Sequence, residues 1–156
     1  MPIQSLPDRP NLDHLKKQAK ALLRAAEAGE LDALKRFAIL PAFAKTPVER
    51  IASTGLALHD AQSVIAREHG FPSWNALREE VEARALSFAD AVEAFVRSAT
   101  DGAPARAERL LALFPAIADA SFETALVLGD VDRVEAIVAR DPSRATRSTG
   151  VVAWEK

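Results

Sequence analysis

Leu128-Gly129-Asp130-Val131-Asp132-Arg133-Val134-Glu135-Ala136-Ile137-Val138-Ala139-Arg140-Asp141-Pro142-Ser143 contains a stop, a start and a second stop. A helix arriving at Gly129 ends there, because glycine enters the left-handed region at little steric cost. Asp130 is a capping residue for the helix that follows. Val134, Ile137 and Val138 give that helix an apolar stripe, and Pro142 halts it. The product is a helical hairpin.

The same punctuation occurs one unit earlier. Residues 95–115 overlay residues 122–142 with a constant shift of 27. Phe95 falls on Phe122, Gly102 on Gly129, Arg106 on Arg133 and Glu108 on Glu135. Leu110 falls on Ile137, Leu111 on Val138 and Pro115 on Pro142. A hairpin of this size cannot bury both apolar faces alone, so neighbours must stack on it. A fainter copy lies near the amino terminus. Leu22 leads Gly29 as Phe95 leads Gly102, and Leu34 and Phe37 take the places of Ala107 and Leu110.

Composition agrees with helices. The chain has 156 residues, 49% hydrophobic and 27% charged, with seven Phe, two Trp and no Tyr. That length fits one moderate domain or two very small ones. The abundant alanine favours helix, and the core falls mainly to Leu, Val, Ile and Ala. A formal net charge of -2 argues against nucleic-acid binding by a general field, although a local patch can still act. The absence of Cys rules out disulfides, thiol catalysis and cysteine-ligated metal. Residues 1–10 do not read as a signal peptide, and no window approaches ~18 uninterrupted apolar residues. The expectation is a cytoplasmic protein with no membrane span.

Taken in order, Asn11 caps a first helix carrying Leu12, Leu15, Ala19, Leu22, Leu23 and Ala26, closed by Gly29. The second holds Leu31, Leu34, Phe37 and Ala38 and stops near Pro41. Thr46-Pro47-Val48-Glu49 predicts a short helix with Thr46 as its cap, ending near Gly55. Another is predicted over 60–69, closed by Gly70. Ser73 caps the next, with Trp74, Leu77 and Val81, and Ser87 with Asp90 opens one with Ala91, Val92, Phe95 and Val96. Pro104 starts a helix containing Ala107, Leu110, Leu111 and Phe114; Asp119 is read as the cap of the helix with Phe122, Leu126 and Val127. About nine helices and no dependable strand result.

Ala125-Leu126-Val127-Leu128-Gly129-Asp130 and the helix after it, through Pro142, resemble the two-helix part of an ankyrin repeat. The Thr-Pro-Leu-His opening of that family is missing, and 27 is shorter than its usual period of about 33. The resemblance therefore implies repeats without the projecting β-hairpin finger, and without a finger-lined groove. Leu12-Asp-His-Leu-Lys-Lys-Gln-Ala-Lys20, with Ala66-Arg-Glu-His-Gly-Phe-Pro-Ser-Trp74, resembles a helical module found at the front of bacterial ankyrin-repeat proteins. Residues 149–155 resemble the start of a further repeat, which makes a fragment of a longer protein the expectation.

The candidate sites follow from charge and spacing. Lys16, Lys17, Lys20 and Arg24 form a basic stripe suited to an acidic partner, a phosphate backbone or a membrane surface, or else a solvated face. Arg106, Arg109 and Arg133 are surface candidates in the repeats, with Glu108 and Glu135 near enough to pair with them. The helix-turn-helix alternative, over 60–84, would use Arg67, Asn75 and Arg78. Glu79, Glu80 and Glu82 on the same reading helix oppose phosphate. His59 and His69 lie about 15 Å apart along a helix and cannot share an ion, and no nucleophile joins His59 and Asp60. Phe71, Trp74 and His59 either frame a small-molecule pocket or fill the core. The expected fold is all-α: a helical module over 11–84, then stacked, ankyrin-like hairpins over 88–142, an α-solenoid without β-hairpin fingers. The expected function is non-enzymatic protein binding, with no catalytic, metal or cofactor site, and nucleic-acid binding as the alternative.

Overall fold

Caps and glycine corners set out nine α-helices along the described residues, 4–146 of the computed structural model. They are α1 (Leu12–Glu27), α2 (Leu31–Phe37), α3 (Val48–Ile51), α4 (Leu58–Glu68), α5 (Trp74–Arg84), α6 (Phe88–Thr100), α7 (Pro104–Leu113), α8 (Phe122–Leu128) and α9 (Val131–Arg140). Short 3-10 turns occupy Pro41–Phe43, Ala52–Thr54, Pro115–Asp119 and Pro142–Ala145. No strand occurs among the described residues, so the protein is all-helical and repeat-like. The expected restart of a repeat at 149–155 lies outside them. The chain divides into two units, Met1–Ala85 and Leu86–Lys156.

In the first unit, α1 packs on α4 and α2, and α4 on α5. Leu15, Ala19, Leu22, Leu34, Phe37, Ile51, Val64, Ile65 and Leu77 join one buried cluster. Phe71 and Trp74 are half-buried against that cluster, which gives them a core role. Arg36 on α2 and Glu68 at the end of α4 form a bidentate pair, Nε to Oε1 and Nη2 to Oε2, each 2.7 Å. The carboxylate is 10% exposed and the guanidinium 36%. Hydrogen bonding to Glu68 raises the Arg36 pKa above its ordinary value, against the opposing pull of burial.

In the second unit, α6 packs on α7, α8 on α9, and the first helices α6 and α8 pack on one another. The 27-residue shift holds in the backbone. α7 and α9 are each ten residues long and begin 27 apart, and each is followed by a 3-10 turn opening on proline. Gly102 and Gly129 have φ of +76° and +69°. At both corners the amide just after the glycine bonds back across it, Ala103 to the Ser98 carbonyl at 2.9 Å and Asp130 to the Ala125 carbonyl at 3.0 Å. This is the Schellman closure that a left-handed residue permits. Glu30 closes on Ala25 in the same way, at 3.0 Å. The amino-terminal hairpin thus shares the device.

A Cβ placed on Gly102 or Gly129 would meet nothing within 4 Å, so the penalty of a side chain there is conformational. Gly102→Ala and Gly129→Ala are each expected to lower stability by about 1–2 kcal/mol. Asn, which tolerates the left-handed region better, should lose less. Urea unfolding of the three chains checks this. Equal stability of the alanine and native chains would contradict the corner geometry.

Several boundaries differ from expectation, for local reasons. Thr46 is not the cap of α3; Pro47 occupies the N-cap position, and no side chain caps the turn. α4 begins at Leu58, because Asp60 reaches back to accept the Ala57 N–H at 2.9 Å. Asp119 does not cap α8. Pro115 starts a 3-10 turn that runs through Asp119, and extended Ser121 takes the cap. The Ser121 hydroxyl accepts from the Thr124 N–H at 3.2 Å, and Thr124 Oγ1 accepts from the Ser121 N–H at 3.0 Å. Phe114 lies one residue beyond α7. Leu31, assigned to the apolar face of α2, is 55% exposed. It occupies the first helical position, where Pro104 and Val131 of the other hairpins are also exposed.

Candidate functional site

The site is built on α1. Asn11, in an extended conformation, accepts the N–H groups of Asp13 at 2.8 Å and His14 at 3.1 Å. That capping fixes the first turn. Leu15, Ala19, Leu22 and Ala26 recur at spacings of four, three and four and are buried, which sets the helix's rotation about its axis. Lys16, Lys17, Lys20 and Arg24 then fall within an arc of about 100° on the outward side. All four are exposed. Lys16 pairs with Asp13 at 3.2 Å. Lys17, Lys20 and Arg24 have no carboxylate partner among the described residues.

The repeat arginines take three different positions. Arg106 is exposed on α7. Arg109 is half-buried and has an interaction of its own. Arg133, expected at the surface, is 23% exposed and points back into its own unit. Its guanidinium donates to the carbonyls of Ala118 and Asp119, and at 2.9 Å to Asp119 Oδ1. It ties the end of the 3-10 turn to α9. Arg106, one repeat earlier, has no such turn to bind, because the residues 27 before Ala118 and Asp119 lie inside α6. Arg133→Ala is expected to lower stability by about 2 kcal/mol, the scale of charge-assisted hydrogen bonds. Thermal melts of the native chain and of Arg133→Ala check it; an unchanged midpoint would contradict this role.

The α4–α5 hairpin partly buries one of its nucleic-acid candidates and exposes the other two. Arg67 is half-buried, and its Nε is enclosed without a hydrogen-bond partner. Asn75 and Arg78 are exposed on α5, with Arg78 Nε 3.7 Å from Glu82. Arg84 is held by Glu80 at 2.8 Å. The helix therefore presents paired charge with an excess of carboxylate, a poor match to phosphate.

The histidines are engaged separately. His14 Nε2 meets Gln18 at 3.0 Å, His59 meets Asp60 at 3.2 Å, and His69 Nδ1 donates to the Gln4 carbonyl at 2.9 Å. His59 is 79% exposed, whereas Phe71 and Trp74 pack against the core of the first unit. No group of three metal-ligating side chains is gathered among the described residues.

Two features lay outside what periodicity can reveal. A cleft of about 550 Å³ in the first unit is lined by Gln4, Gln18, Ala25, Glu30, Arg36 and Glu68, among others. Its most directional groups, Arg36 and Glu68, already satisfy each other. In the second unit Leu126, Leu128 and Val131 are 50%, 41% and 62% exposed around the Gly129 corner. No helix of the described residues is long and apolar enough to cross a membrane. No protein-family model, no curated protein and no solved structure matches this chain.

Proposed function

We propose that this chain is a non-enzymatic protein-binding module whose recognition surface is the outward face of α1. The observation that carries the proposal is the exposed row of Lys16, Lys17, Lys20 and Arg24, of which only Lys16 is paired among the described residues. Four cations on one face of an anchored helix repel one another mildly, and a partner's carboxylates would relieve that repulsion. The hairpins of the second unit act as scaffold in this reading. Their shared glycine corners and proline stops favour kinship with the two-helix part of ankyrin repeats, in a bacterial, cytoplasmic setting.

Affinity capture tests the proposal. The full chain and its Lys16→Glu/Lys20→Glu/Arg24→Glu variant are used as bait in bacterial lysate, with and without nuclease treatment. A defined protein retained by the native chain and lost on charge reversal is the expected result. Retention that disappears with nuclease would favour nucleic acid and bring Asn75 and Arg78 forward. Retention indifferent to charge reversal would remove α1 from the interface.

A further inference from the structure

Lys16, Lys20 and Arg24 stand at four-residue intervals along α1. At 1.5 Å per residue the row repeats about every 6 Å and runs for about 12 Å. Lys17 widens the row beside Lys20. Asp13 precedes the row and Glu27 follows it, so the positive stretch has an acidic boundary at each end. The helix beneath is held by a cap and four buried residues, so little backbone order is lost when the row is engaged.

We propose, on the protein-binding reading above, that the occupant of this face is an acidic α-helix of a partner protein, with carboxylates at i, i+4 and i+8. Such a helix repeats its charges at the same ~6 Å interval, because it obeys the same geometry. Three carboxylates then meet three cations in register when the helices lie side by side. A nucleic-acid duplex fits less well, because its phosphates continue past both ends of the row. A polyanion laid along α1 would therefore run onto Asp13 and Glu27. A short acidic helix of matching length does not.

The pairs are exposed, so binding is modest and weakens with salt. The test uses fluorescence anisotropy with the full chain and four probes. One is an alanine-rich helical peptide with Glu at i, i+4 and i+8. The second has the same composition with Glu distributed around all sides of the helix. The third is a duplex DNA of mixed sequence, and the fourth a phosphatidylglycerol vesicle. The spaced peptide should bind at least about fivefold more tightly than the distributed one, and Lys16→Glu/Lys20→Glu/Arg24→Glu should weaken it at least about tenfold. Circular dichroism of the variant should match the native chain, since all three positions are exposed.

Equal binding of the two peptides would overturn the spaced-helix inference while leaving α1 as a general surface for acidic proteins. Tighter binding of the duplex or the vesicle than of either peptide would overturn both. Absence of binding by all four probes would overturn the inference; the capture experiment would then judge the wider reading alone.

Discussion

Phe37→Ala is expected to lower stability by about 3–5 kcal/mol, the range for a large aromatic side chain removed from a packed core. Phe37 is fully buried and meets the Phe43 ring edge-on, with centroids 6.4 Å apart. It is the last residue of α2, so its ring anchors a helix of only seven residues. A helix that short has little stability of its own and relies on tertiary packing. The cavity left by alanine would border Leu34 and its neighbours in the buried cluster, and it could close only by moving whole helices. Phe37→Leu conserves more volume and should lose less, about 1.5 kcal/mol or below. Chemical denaturation followed by circular dichroism measures both. A loss below about 1 kcal/mol for Phe37→Ala would mean that α2 is not packed as described.

The second large effect belongs to Arg36 and Glu68. Arg36→Met leaves a carboxylate that is 10% exposed without its partner. Breaking a buried pair is strongly destabilising, but the Arg36 side is 36% exposed and water screens it. A loss of about 2–3 kcal/mol is therefore expected. Arg36→Met/Glu68→Met should recover much of it, because neither charge is then stranded. A double-mutant cycle by urea unfolding separates the pairing from the packing of the arginine stem. Additive losses would contradict the coupling. The Arg36 pKa is raised in the fold, so its contribution is complete below the ordinary arginine value. It fades only as pH rises through the folded value, and pH changes near neutrality should leave this part of the stability unmoved.

What was legible in the sequence is what is decided within a few residues. Asn11, Ser73, Ser87 and Asp130 cap the helices they were expected to cap, because a non-helical residue with a short polar side chain satisfies the amides just after it. The glycine corners were visible for the same reason. Thr46 and Asp119 misled because a neighbouring proline changed the local backbone before their side chains could act. Contacts between distant residues were not legible at all. Arg36 and Glu68 are 32 positions apart, and His69 meets Gln4 across 65. Arg106 and Arg133 match in the repeat, yet only Arg133 has a 3-10 turn within reach. The rotation of α1 followed from its apolar spacing, which is why the cationic face could be read in advance. Which of its cations lack a partner could not.

The most direct test of α1 as a recognition surface is an amide chemical-shift map of the full chain, titrated with the spaced acidic peptide. Shifts concentrated on residues 16–24, and abolished by Lys16→Glu/Lys20→Glu/Arg24→Glu, are the predicted result. Shifts confined to α5, to the exposed corner at Leu126, Leu128 and Val131, or to the cleft beside Arg36 would place recognition elsewhere and contradict the assignment to α1.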